Sequence, residues 1–105
     1  MEIKHNAENM LRLIGLVDTS GPPGSTPIPV TTATVTGNIH QSDGDVAVGP
    51  MVLARIGASN DYEVLLTRVE AETLTMGRDY DFLVEADDGT YRTRLFHDSV
   101  RVVES

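Results

Sequence analysis

The strongest constraint on this chain is a hydrophobic pattern that repeats every two residues. Between residues 32 and 40, Ala33, Val35, Gly37 and Ile39 alternate with Thr32, Thr34, Thr36, Asn38 and His40. A helix would spread this pattern around its axis. A pleated strand places one set on a dry face and the other in water. The threonines agree, because branching at Cβ suits extended backbone. The period returns at 80–86, where Tyr80, Phe82, Val84 and Ala86 alternate with Asp81, Leu83 and Glu85, and again at 62–66.

Two further apolar runs predict strands at 9–17 and 51–56. The first is apolar on both faces except at Arg12 and Gly15, so it is either covered twice or shared with a partner. Turn chemistry separates the strands, at Ser42-Asp43-Gly44-Asp45, Ser59-Asn60-Asp61 and Asp87-Asp88-Gly89. Residues 19–29 carry four prolines and read as an exposed, irregular connection. A single helical turn is expected within 69–75. No repeat or linker divides the chain, so the reading is an N-terminal arm at 1–8 followed by one all-β domain at 9–105.

The last hairpin can be assigned a register. A two-residue turn at Asp88-Gly89 would be of type I′. It would set Asp87 against Thr90, Ala86 against Tyr91, Glu85 against Arg92 and Leu83 against Arg94. Phe82 would then face Leu95, and Tyr80 would face His97. Arg92, Arg94 and Phe96 would share the outward face.

Charge and composition exclude several functions. Acidic residues number 16 against 8 basic ones, a net charge of -8. A chain so acidic is a poor match for nucleic acid, whose phosphates call for clustered cations. There is no cysteine, which excludes disulfides, thiolate metal sites and a cysteine nucleophile. The first residues mix both charge signs, unlike a secretory signal, and no apolar run is long enough to span a membrane.

Candidate chemistry is sparse. His5, His40 and His97 lack ligand spacing, no serine sits in a nucleophile elbow, and the carboxylates fall in turns or on outward strand positions. An enzyme is therefore not expected, nor a cofactor. Calcium at the acidic turns, through Asp43 with Asp45, Asn60 with Asp61 and Asp87 with Asp88, is the one alternative. Those residue types also serve turns for their own sake. Arg92, Arg94 and Arg101, with Leu83 and Phe96 beside them, form the candidate surface for an acidic protein partner, since arginine beside outward apolar groups is interface chemistry.

The stretch 74–86, with Leu74, Gly77, Tyr80 and Phe82 in order, resembles the E–F corner and F strand of fibronectin type III and other immunoglobulin-like domains. That resemblance implies an antiparallel β-sandwich of about seven strands, and a tyrosine corner in which the Tyr80 phenol bonds back to the backbone. Asp88 and Gly89 would close the hairpin that follows. The order of segments along the chain also resembles the small immunoglobulin-like domains of tailed-phage virion proteins. Taken as a complete chain without leader, anchor or enzyme domain, it is expected to be a non-enzymatic virion accessory subunit: capsid-decorating, head–tail or baseplate. It would assemble in the host cytoplasm against repeated copies of another protein, with homo-oligomer contacts within the assembly. Two rivals are a carbohydrate- or calcium-binding adhesion module of a bacterial surface protein, and a small acidic inhibitor of a host protein.

Overall fold

The computed structural model describes residues 1–18, 24, 28–30, 33–89 and 92–104. Among these, eight strands form two sheets. One sheet runs β1 (Glu2–Lys4), β10 (Arg92–Val103), β9 (Asp79–Asp87), β5 (Thr34–His40), β6 (Val46–Val52), in that spatial order; the other runs β2 (Asn9–Leu13), β8 (Tyr62–Leu66), β7 (Ala54–Arg55). A short ribbon pairs β3 (Val17–Asp18) with β4 (Ile28–Pro29). Strands distant in sequence lie side by side, β5 with β9 and β2 with β8. The architecture is an all-β sandwich of one mixed five-stranded sheet and one three-stranded antiparallel sheet.

The inward sets of both sheets meet in one core containing Leu11, Leu13, Val35, Ile39, Tyr62, Leu66, Phe82, Val84 and Val100. The alternation at β5 and β9 therefore emerges as residue-by-residue burial. Gly37 has a packing role. A Cβ there would lie 2.7 Å from Cε1 of Phe82, so the glycine makes room for the ring. Gly37→Ala is expected to destabilise the fold by about 1–3 kcal/mol through overpacking, measured by denaturant midpoint; an unchanged midpoint would show that the ring yields freely.

Residues 1–8, expected as an arm, are instead part of the sandwich. β1 pairs in parallel with β10, Ile3 is fully buried, and the Met1 ammonium donates to Asp98 Oδ2 at 3.2 Å and to the Ser99 carbonyl at 2.9 Å. The buried apolar side chain of Ile3 binds the segment to the core. Asn9 then ties the chain's reversal, accepting from Lys4 N–H at 2.8 Å and donating to the Lys4 and Ala7 carbonyls, both at 3.0 Å.

Other boundaries shift for identifiable reasons. The run 9–17 ends as a strand at Leu13, before Gly15 turns with φ 67°. The run 51–56 is two strands in different sheets, β6 and β7, which change over at buried Leu53. Of the connection 19–29, residues 19–23 and 25–27 lie outside the described residues, as do Thr31 and Thr32; Pro29 is in β4, paired with Val17. The helical turn is α1 (Arg68–Glu72), one position earlier than its expected start. It begins in a capping box: Thr67 Oγ1 accepts from Glu70 N–H at 3.2 Å, and Glu70 Oε1 accepts from Thr67 N–H at 3.0 Å.

The tyrosine corner is present. Tyr80 is buried beside Leu74, and its phenol oxygen accepts from Thr75 N–H at 2.8 Å. Gly77, at φ 78°, donates its N–H to the Val102 carbonyl at 3.0 Å, tying the corner to β10.

Candidate interaction face

The register of β9 with β10 differs from the expected one. Asp87 pairs with Arg92, so four residues rather than two connect the strands; Thr90 and Tyr91, whose expected partners were Asp87 and Ala86, lie outside the described residues. A type I′ turn needs positive φ at both central positions. Gly89 has it, at 94°, but Asp88 does not. The Asp87 side chain instead accepts from Gly89 N–H at 2.9 Å and opens the loop as an Asx turn.

A shift of two keeps Arg92 and Arg94 outward. A β-bulge between Arg94 and Phe96 then reverses the parity. Phe96 consequently does not share the arginines' face: it packs against the core, its ring 6.2 Å from that of Phe82 at an edge-on 67°. His97 emerges outward opposite Leu83, rather than opposite Tyr80, which pairs with Val100. Phe82 pairs with Asp98, and Leu95 is the extra residue of the bulge.

Joining both registers of β9 gives the outer face of the five-stranded sheet as rows. They read Arg92–Asp87–Thr34, Arg94–Glu85–Thr36, His97–Leu83–Asn38 and Ser99–Asp81–His40, with Arg101–Asp79 below. Three basic side chains have carboxylate partners: Arg92 Nε lies 3.6 Å from Asp87 Oδ2, His97 Nε2 3.2 Å from Asp81 Oδ1, and Arg101 Nε 3.3 Å from Asp79 Oδ1. Exposed pairs of this kind each contribute about 0–1 kcal/mol. Arg94 lies across from Glu85 yet makes no ion pair among the described residues. Leu83 is half-buried in the middle of this charged surface.

Sequence reasoning placed His40 on the wet side of β5 without counting it among the candidate site residues. Its Nδ1 lies 3.1 Å from the Gly44 carbonyl, while its Nε2 is shielded and has no hydrogen-bond partner. The position of His40 in the alternating run carried the signal, since His40 follows Asn38 on the wet side. The second sheet adds an apolar pair: Met10, 53% exposed, faces Leu65, 43% exposed. Beside them Arg12 and Glu63 are bridged at 2.9 Å. The two-sided character of the 9–17 run thus corresponds to an outward methionine.

Two of the acidic turns do not converge. The β5–β6 turn and the β9–β10 loop lie at opposite ends of β5, near His40 and Thr34 respectively. They are therefore separated by about 20 Å of strand. Their carboxylates serve the turns: Asp43 Oδ1 accepts from Asp45 N–H at 3.0 Å, and Asp61 Oδ1 from Gly15 N–H at 2.9 Å. Among the described residues no group of three or more His, Asp or Glu is placed to hold a metal ion. Millimolar calcium is expected to leave the melting temperature unchanged, whereas a rise would reveal a site.

Fold and face together define an all-β sandwich with an open, charge-patterned sheet. Compared with protein-family models and with curated proteins, the chain matches none. Among the described residues no helix is long and apolar enough to cross a membrane.

Proposed function

We propose that this chain is a non-enzymatic interaction module, acting as an accessory subunit of a phage virion through its five-stranded sheet. The observation that carries the reading is Arg94. It is an exposed guanidinium in a sheet face whose other β10 cations have carboxylate partners, and it neighbours half-buried Leu83. An arginine without an internal partner, beside an apolar side chain, suits a protein interface. A sheet face suits a repeated subunit, because many weak contacts then add by multivalency. The virion assignment itself rests on the resemblance in segment order and on the sandwich fold, which hosts many functions.

A carbohydrate-binding reading is less well supported, since it calls for exposed ring platforms. Tyr62, Tyr80 and Phe82 are buried, and Phe96 packs against the core.

The test is Arg94→Glu. This exposed substitution is expected to leave the melting temperature unchanged and to reduce co-sedimentation of the protein with assembled particles about tenfold or more, as loss of a charge-assisted contact implies. Undiminished incorporation would refute the assignment of this face.

A further inference from the structure

The outer face of the five-stranded sheet carries its charges in two stripes. The outward positions of β10 hold Arg92, Arg94, His97, Ser99 and Arg101; those of β9 beside them hold Asp87, Glu85, Leu83, Asp81 and Asp79, row for row. Three arginines thus stand against four carboxylates, so most of the chain's net charge of -8 lies on other surfaces. Arg92, His97 and Arg101 are each paired with a β9 carboxylate of their own chain. The row of Arg94 and Glu85 differs. The two are direct cross-strand neighbours of opposite charge, yet neither has an ion pair or a side-chain hydrogen bond among the described residues. Arg94 is exposed and Glu85 half-buried, as is Leu83 in the next row.

We propose that this face docks on the same face of a second copy of the chain, about a two-fold axis that runs along the strands between β9 and β10. The inference rests on the interface reading above and names the partner. Such an axis carries each β10 position over the β9 position of the same row in the other copy. Arg94 then faces the partner's Glu85, Arg92 the partner's Asp87 and Arg101 the partner's Asp79, and symmetry repeats each contact. In the middle row His97 covers the partner's Leu83. An axis across the strands would instead set β10 on β10, arginine against arginine, so the stripes select one of the two arrangements. A stripe of cations beside a stripe of anions is its own complement under that operation, which is what points to a second copy. Sheets packed face to face keep their strands within about 30° of each other, so the match is closest at the middle rows, where Arg94, Glu85, Leu83 and His97 lie. The arginine fork suits a carboxylate, and Leu83 supplies an apolar contact at the centre. Repulsion between the two acidic chains is screened beyond about 8 Å at physiological salt, and the surfaces that approach are the nearly balanced ones. Exposed charge pairs are individually weak, so the dimer is reversible.

The test is sedimentation equilibrium of the full chain at physiological salt, comparing wild type, Arg94→Glu, Glu85→Arg and the double variant that carries both changes. Wild type is expected to enter a monomer–dimer equilibrium below about 1 mM chain. Each single variant sets like charges against each other at two symmetric contacts, and is expected to weaken dimerisation about a hundredfold, about tenfold at each. The double variant restores opposite charges both within the row and across the axis, and should return to within about threefold of wild type. Dispersed amide spectra of all three variants establish that they are folded. A wild type that stays monomeric at about 1 mM, single variants that dimerise as well as wild type, or a double variant as weak as the single ones would each overturn the proposal. If wild type is monomeric while Arg94→Glu still abolishes incorporation into particles, the interface reading stands and its partner is a different protein. Normal incorporation of Arg94→Glu would remove that reading, while rescue of dimerisation by the double variant would still uphold the contact between copies.

Discussion

Phe82→Ala is expected to destabilise the protein by about 3–5 kcal/mol, the cost of emptying a fully enclosed aromatic site. Phe82 has no solvent exposure. It fills the space that Gly37 leaves, since a Cβ on that glycine would reach the ring at 2.7 Å, and it meets the Phe96 ring edge-on with centroids 6.2 Å apart. Removing the ring therefore opens a cavity bounded by a strand that has no side chain to fill it. For a domain of this size the loss corresponds to a fall in melting temperature of roughly 15–30 °C. Phe82→Leu retains much of the volume and serves as the companion if the alanine variant does not fold. A fall of only a few degrees for Phe82→Ala would show that the site collapses and that this part of the core is loosely packed.

The second large effect is expected at Ile3. Ile3→Ala should cost about 2–5 kcal/mol, because Ile3 is fully buried and its strand is hydrogen-bonded along β10. His5 N–H donates to the Val103 carbonyl at 2.8 Å, and Arg101 N–H to the Met1 carbonyl at 3.0 Å. An arm lying outside the sandwich would instead tolerate the change within about 0.5 kcal/mol, as ordinary surface positions do. Denaturant unfolding monitored by circular dichroism separates the two results without ambiguity, since both wild type and variant retain the same reporter.

These two residues also mark where the sequence was legible and where it was not. Phe82 lies in an alternating run bounded by turn residues, and period two at β5 and β9 translates directly into which side chains are buried. Ile3 pairs with Val102, almost the whole chain away, and a three-residue strand between charged neighbours has no internal period to read. The β9–β10 hairpin lies between these cases. Its pairing and the outward placement of Arg92 and Arg94 follow from alternation, but its register depended on a turn type that Asp88 does not adopt, and on a bulge at Leu95. A bulge is one residue of extra backbone with no distinctive side chain. Leu95 and Phe96 are both apolar and both partly buried, so composition does not say where the parity changes. That one residue decides the candidate site: without it Phe96 would lie beside the arginines, and His97 would point inward.

His40 illustrates a different limit. Its place on the wet side of β5 could be read from the sequence. Its unpartnered Nε2 depends on the β5–β6 turn folding back so that the Gly44 carbonyl takes the other nitrogen. That is a property of loop geometry.

The most direct test of this account is the pairing of β9 with β10 in solution, read from cross-strand nuclear Overhauser effects in the labelled chain. The account predicts contacts that join His97 to Leu83 and Phe96 to Val84, together with ring contacts between Phe96 and Phe82. Contacts joining Phe82 to Leu95 and Tyr80 to His97 would mean an unbroken register, and would put Phe96 beside the arginines on the outer face and turn His97 inward.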